Sequence, residues 1–116
     1  MNKAIIWGSG VLTFLVLAFL FVTPVYAEEA AGKKVFMDSK CNTCHSIESQ
    51  GIEKSMASSK APDLSDVGST RTADWISQYL QKKVDIDGKK HAKGWSGKDE
   101  DLKTVSDWLA TLKKAK

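Results

Sequence analysis

The sequence predicts a small all-α domain behind an apolar leader. Three observations carry that expectation. Apolar residues recur at helical spacing in three separate stretches, no run alternates with period two, and polar loops rich in serine or glycine lie between the stretches. A chain of 116 residues has room for one small domain, which excludes a multidomain enzyme. Its 42% hydrophobic and 27% charged content looks ordinary, but the apolar residues are unevenly spread.

Residues 4–22 carry no charged side chain, and every Asp and Glu lies at position 28 or later. Lys3 supplies a short positive start, Pro24 interrupts the apolar run, and Val25-Tyr26-Ala27 offers the small residues that precede signal-peptidase cleavage. Residues 1–27 therefore read as a signal peptide, with a mature domain over 28–116. The rival reading is an uncleaved membrane anchor, since the run is long enough to span a bilayer. Both put Lys3 inside and the Glu28-Glu29 start outside, so the domain is expected to work outside the cytoplasm, in the periplasm. The formal net charge of +3 is mild and mixed in sign, which argues against a nucleic-acid partner.

The first helix of the mature chain is expected over Glu29 to about Lys40, with Gly32 and Phe36 on one face. Residues 46–60 hold five serines and read as a loop or loosely ordered turn. Ala61-Pro62-Asp63-Leu64 punctuates the chain, because the residue before a proline is pushed out of the helical region. A second helix follows over about Ala73 to Lys82, with Thr72 as N-cap and Trp75, Ile76, Tyr79 and Leu80 sharing a face. Residues 84–95, with Asp87-Gly88 and Gly94, read as another loop. Ser96 with Asp99 resembles a capping box for the last helix. Asp99, Glu100 and Asp101 then sit at the positive end of its dipole, with Lys113 and Lys114 at the other. Leu102, Val105, Leu109 and Leu112 form its apolar stripe, with Trp108 beside it.

Beyond the leader only Phe36, Trp75, Tyr79, Trp95 and Trp108 remain as aromatics, a thin core for a domain of this size. Such domains often need a staple. Residues 41–45, Cys41-Asn42-Thr43-Cys44-His45, hold both cysteines of the chain and supply one. C-x-x-C-H reads as a covalent haem attachment site. Two cysteines on one turn reach the two vinyl groups on one edge of a porphyrin as thioethers, and the adjacent histidine can place a nitrogen on the iron. A disulfide or thioredoxin-like pair would leave His45 unexplained and calls for a βαβ pattern that is absent. Structural zinc needs four ligands, and crowding Cys44 and His45 onto one ion with Cys41 and His91 is awkward.

The mature chain resembles the small single-haem class I c-type cytochromes over most of its length. Gly32-Lys33-Lys34-Val35-Phe36 before Cys41 is similar to that family's N-terminal helix. Ala61-Pro62-Asp63-Leu64-Ser65-Asp66-Val67-Gly68 resembles its G-P-x-L-x-x-V-G segment, with Ala61 for the usual glycine, and Asp99 to Leu109 resembles its C-terminal helix. The resemblance implies a cytochrome c-type helical domain wrapped around one covalently bound haem c. It implies that Gly32 and Phe36 cross the last helix near Trp108. It also implies that the Pro62 carbonyl accepts the second ring N–H of His45, a contact that fixes the tautomer and raises ligand basicity.

The family usually supplies a methionine as sixth iron ligand from the loop before its last helix. Residues 84–97 contain none, and His91, in Lys89-Lys90-His91-Ala92-Lys93-Gly94-Trp95, stands where that methionine would be. A lone histidine among lysines is ordinarily a solvated surface residue, but imidazole is a good iron ligand. His45 and His91 are therefore the candidate metal ligands. Met56 competes from the wrong side of Pro62, Met37 would have to leave the first helix, and an open or water-bound site is the remaining alternative. Methionine raises the reduction potential, so a His/His haem is expected to sit lower.

One-electron transfer is the leading function, and the chain is expected not to be an enzyme. Lys82, Lys83, Lys89, Lys90 and Lys93 could form a basic ring that steers an acidic redox partner such as a dehydrogenase, reductase or oxidase. Their bland reading is a solvated face. Trp75 and Trp95 read as core. A peroxidase would need an open iron position and distal acid–base groups. A haem sensor would need a displaceable sixth ligand.

Overall fold

In the computed structural model, residues 23–114 are described; most of the expected leader lies outside them. They form an all-α domain of three helices, α1 (Thr23–Asp38), α2 (Ala73–Leu80) and α3 (Asp99–Thr111). One-turn 3₁₀ segments interrupt the loops at Cys41–Thr43, Glu48–Gln50 and Val67–Ser69. No helix among the described residues is long and apolar enough to cross a membrane.

The α1–α3 crossing organises the domain. Gly32 is buried against Trp108, and a Cβ at position 32 would overlap Cβ and Cγ of that indole. One turn later Phe36 meets Trp108 edge to face, with ring centroids 5.9 Å apart at 68°. Leu102, Val105, Trp108, Leu109 and Leu112 are all buried, as the stripe predicts. Helix α2 packs on the same element and buries Ile76. Beyond α3, Leu112 accepts from the Gly68 N–H at 2.8 Å and the Lys114 N–H reaches Asp66 at 2.7 Å, strapping the tail to the 66–68 segment.

The helix ends differ from the sequence expectation for local reasons. α1 stops at Asp38 because Lys40 turns left-handed at φ 60°, its N–H returning to the Met37 carbonyl. α2 stops at Leu80 in the same way. Lys82 has φ 60°, its N–H bonds the Tyr79 carbonyl and the Lys83 N–H bonds that of Gln78, which is a complete Schellman arrangement. The expected Thr72 cap is present, accepting from the Trp75 N–H at 3.2 Å. The Ser96 cap is not. Trp95 donates from Nε1 to the Lys98 carbonyl at 3.2 Å, so residues 95–98 form a turn of their own and α3 starts after Lys98 without a side-chain cap. The three acids do fill its first turn, whereas its last turn holds no basic residue because the helix ends before Lys113.

The serine-rich loop is more ordered than its composition suggests. Ile47 and Ile52 pair across an antiparallel bridge and are both buried in the core. Asp63 ties this loop to the Pro62 segment by accepting from Ser46 Oγ at 2.7 Å, the Glu48 N–H at 2.9 Å and the Ser65 N–H at 2.8 Å. Desolvation would push its carboxyl up, but these bonds and one from Ser65 Oγ outweigh that and hold it well below the usual carboxylate range.

Two predictions follow from this packing. Gly32→Ala should lower the unfolding free energy of the haem-loaded protein by about 1–3 kcal/mol through overpacking, read as a lower denaturant midpoint, against a helix propensity that favours alanine. An unchanged or raised midpoint would show that the crossing tolerates a methyl group. For Asp63, a depressed folded-state pKa means stability present above the ordinary value of 3.8 and lost as pH falls through the folded value. Asp63→Asn should therefore lower stability at neutral pH and flatten the acid limb of the stability curve below pH 3.8. Parallel acid limbs in the two proteins would remove Asp63 from this role.

Candidate functional site

The left-handed Lys40 swings the chain off α1 directly into Cys41. The Cys44 and His45 N–H groups both return to the Cys41 carbonyl, at 3.3 and 3.0 Å. Both thiols and the imidazole thus sit on one tight turn. The thiols are unpaired and half-buried. Burial pushes the Cys41 thiol up, while the nearby Lys93 ammonium opposes that. No cluster of three or more His, Cys, Asp or Glu suited to a metal ion forms among the described residues.

His45 is half-buried, and its Nδ1 lies 2.7 Å from the Pro62 carbonyl. A carbonyl only accepts, so Nδ1 carries the proton and Nε2 keeps its lone pair. Burial pushes the imidazole pKa down, the Pro62 hydrogen bond partly opposing it, which favours the neutral ring. Asp63 secures the backbone beside that carbonyl through its bonds to the 46–49 segment.

His91 lies on the 81–98 loop, 46 positions along the chain but close in space. Its ring centroid is 6.1 Å from that of His45, and the two planes are within 7° of parallel. Its Nδ1 is 2.6 Å from the Lys93 carbonyl, so here too Nδ1 carries a proton. Within the loop, Asp87 and Gly88 both take positive φ in a two-residue turn closed by paired Ile86–Lys89 bonds at 2.9 Å. The Trp95 N–H fastens its far end to the Leu80 carbonyl at 2.9 Å.

Two residues that the sequence reading did not single out for the site stand out here. Asp63 is one. The other is Tyr79, whose ring meets His91 edge to face at 5.2 Å and 66°. Tyr79 is stacked in turn on Trp75 at 4.9 Å, and the Arg71 guanidinium covers Trp75 at 3.9 Å. The i, i+4 spacing of Arg71, Trp75 and Tyr79 was the available signal. Lys82, Lys83, Lys89, Lys90 and Lys93 are all exposed, the last reaching the Ser39 carbonyl at 3.4 Å. Met37 and Met56 are 40% and 43% exposed, and the Met56 N–H is held by the Thr43 carbonyl. A shallow cleft between α2 and α3 lies elsewhere, lined by Ser77, Gln81, Asp99 and Ser106.

This donor set suits a covalently held haem: two thiols on one turn, a neutral imidazole beside them, and a second imidazole parallel to the first. No curated protein and no solved structure matches the chain. A family model does, that of cytochrome c, over residues 29–113. The chain therefore belongs to the cytochrome c family, carriers of electrons on a covalently attached haem c.

Proposed function

We propose that this cytochrome is an extracytoplasmic one-electron carrier whose haem iron is held between His45 and His91 at low potential. The observation that carries the reading is the pair of parallel imidazoles with centroids 6.1 Å apart. At roughly 2 Å per metal–nitrogen bond and about 1 Å from nitrogen to ring centre, imidazoles on opposite sides of one metal have centroids about 6 Å apart. Each ring also commits its Nδ1 proton to a backbone carbonyl, which leaves Nε2 as the donor atom on both. Met37 and Met56, both substantially exposed, offer weaker alternatives.

A bound haem c supplies the one-electron iron couple. Cys41 and Cys44 hold it to the chain. The Pro62 and Lys93 carbonyls hold the two ligand rings in orientation, so that little side-chain rearrangement accompanies a change of oxidation state. Two imidazoles in place of one imidazole and one thioether lower the potential. The apolar run and the Val25-Tyr26-Ala27 pattern support export to the periplasm. The five exposed lysines around the His91 loop support docking of an acidic redox partner.

Two measurements test this. The oxidised protein should be low-spin with no methionine–iron charge-transfer absorption. His91→Met should create that band and raise the potential, and His91→Ala should abolish the low-spin spectrum. A low-spin spectrum unchanged by His91→Ala would defeat the assignment. For docking, reduction by an acidic redox protein should slow as salt is added, and neutralising Lys82, Lys83, Lys89, Lys90 and Lys93 to Gln should flatten that dependence. A rate indifferent to salt would rule the basic surface out.

A further inference from the structure

A ligand ring bonded to iron through one nitrogen still turns about that bond unless something grips it. His91 sits on a loop in which no residue from 81 to 98 is buried. The Lys93 carbonyl that receives its Nδ1 proton belongs to the same loop, two residues away. That bond fixes the ring to the loop, which Trp95 and Lys93 tie to the domain. A second contact acts on the ring itself. Tyr79 stands on α2, a helix fastened to the core by buried Ile76, and its ring meets the His91 ring at 5.2 Å and 66°. Trp75, one turn earlier, stacks on Tyr79 at 4.9 Å and 21°, and the Arg71 guanidinium lies over the Trp75 ring at 3.9 Å. The series of ring contacts ends on the imidazole.

We propose that Tyr79 is a positioning residue for His91: its ring, backed by Trp75, sets the rotation of the imidazole and keeps it parallel to His45. The proposal rests on the His45/His91 reading above. It assigns the role to the Tyr79 ring, since the contact is between ring faces and edges, so phenylalanine should serve equally.

Electron paramagnetic resonance of the oxidised, haem-loaded full-length protein reads this angle directly. Parallel imidazoles donate into the same iron d orbital, which separates it from its partner and gives a rhombic low-spin signal with three resolved g values. Crossed imidazoles act on one orbital each, leave the pair nearly degenerate, and give a single strongly anisotropic feature. The wild type and Tyr79→Phe should give the rhombic signal. Tyr79→Leu should convert all or part of it to the anisotropic one. If Tyr79→Leu fails to load haem, Trp75→Leu takes its place and should shift the signal in the same direction. A rhombic signal unchanged in the leucine variant that loads would overturn the positioning role, as would an anisotropic low-spin signal in the wild type. A methionine–iron charge-transfer band or a high-spin signal in the wild type would instead overturn the His45/His91 reading.

Discussion

The contact between Gly32 and Trp108 fixes where everything else in this small domain goes. Because residue 32 has no side chain, α1 lies directly on the indole, and Phe36 closes the same contact one turn later. The left-handed Lys40 then turns the chain so that Cys41, Cys44 and His45 share one turn beside the core. Helix α2 also packs on α3 and carries Trp75 and Tyr79, with Arg71 just before it, toward the same region. A bulkier residue at position 32 would displace the haem-attachment turn together with the helix. The sequence tolerates a helix-weakening glycine there because packing, not propensity, decides the position.

Much of this was legible in the residues, and what was not has physical causes. The three helices, the Thr72 cap and the α3 stripe follow from periodicity and capping chemistry, except that α1 begins at Thr23 and not at the expected Glu29. Both early helix stops were hidden because lysine, not glycine, occupies the left-handed position, and lysine carries no sequence signal for that conformation. The Ser96–Asp99 pattern misled because Trp95 claims the Lys98 carbonyl and forms a competing turn. Ile47 and Ile52 were masked by the serines around them; two isolated apolar residues in a polar run have no period to betray burial.

Within the site, the C-x-x-C-H turn was evident because its chemistry is local. The relation of His45 to His91 was reached only through family resemblance, since nothing in the spacing brings two rings to 6.1 Å. The role of Asp63 lay a step deeper. An aspartate two residues before a serine marks an Asx turn, but its bonds to Ser46 and Glu48 require the fold to close first. Tyr79 had the opposite problem: its i+4 spacing from Trp75 was visible but could not be told from ordinary core.

The two histidines are held by different means. His45 is gripped across 17 residues of chain by the Pro62 carbonyl, and the strands of backbone on either side are knotted through Asp63 and pinned by buried Ile47 and Ile52. Its orientation belongs to the folded domain. His91 is gripped across two residues, by a loop anchored chiefly through half-buried Trp95, and its ring meets the domain framework at Tyr79. Local free energies of opening follow buried contacts, so these two arrangements differ in stiffness even though the rings end up parallel. For an electron carrier that asymmetry is useful. In the proposed His45/His91 arrangement the covalent side is the fixed reference, and the loop side adjusts to it.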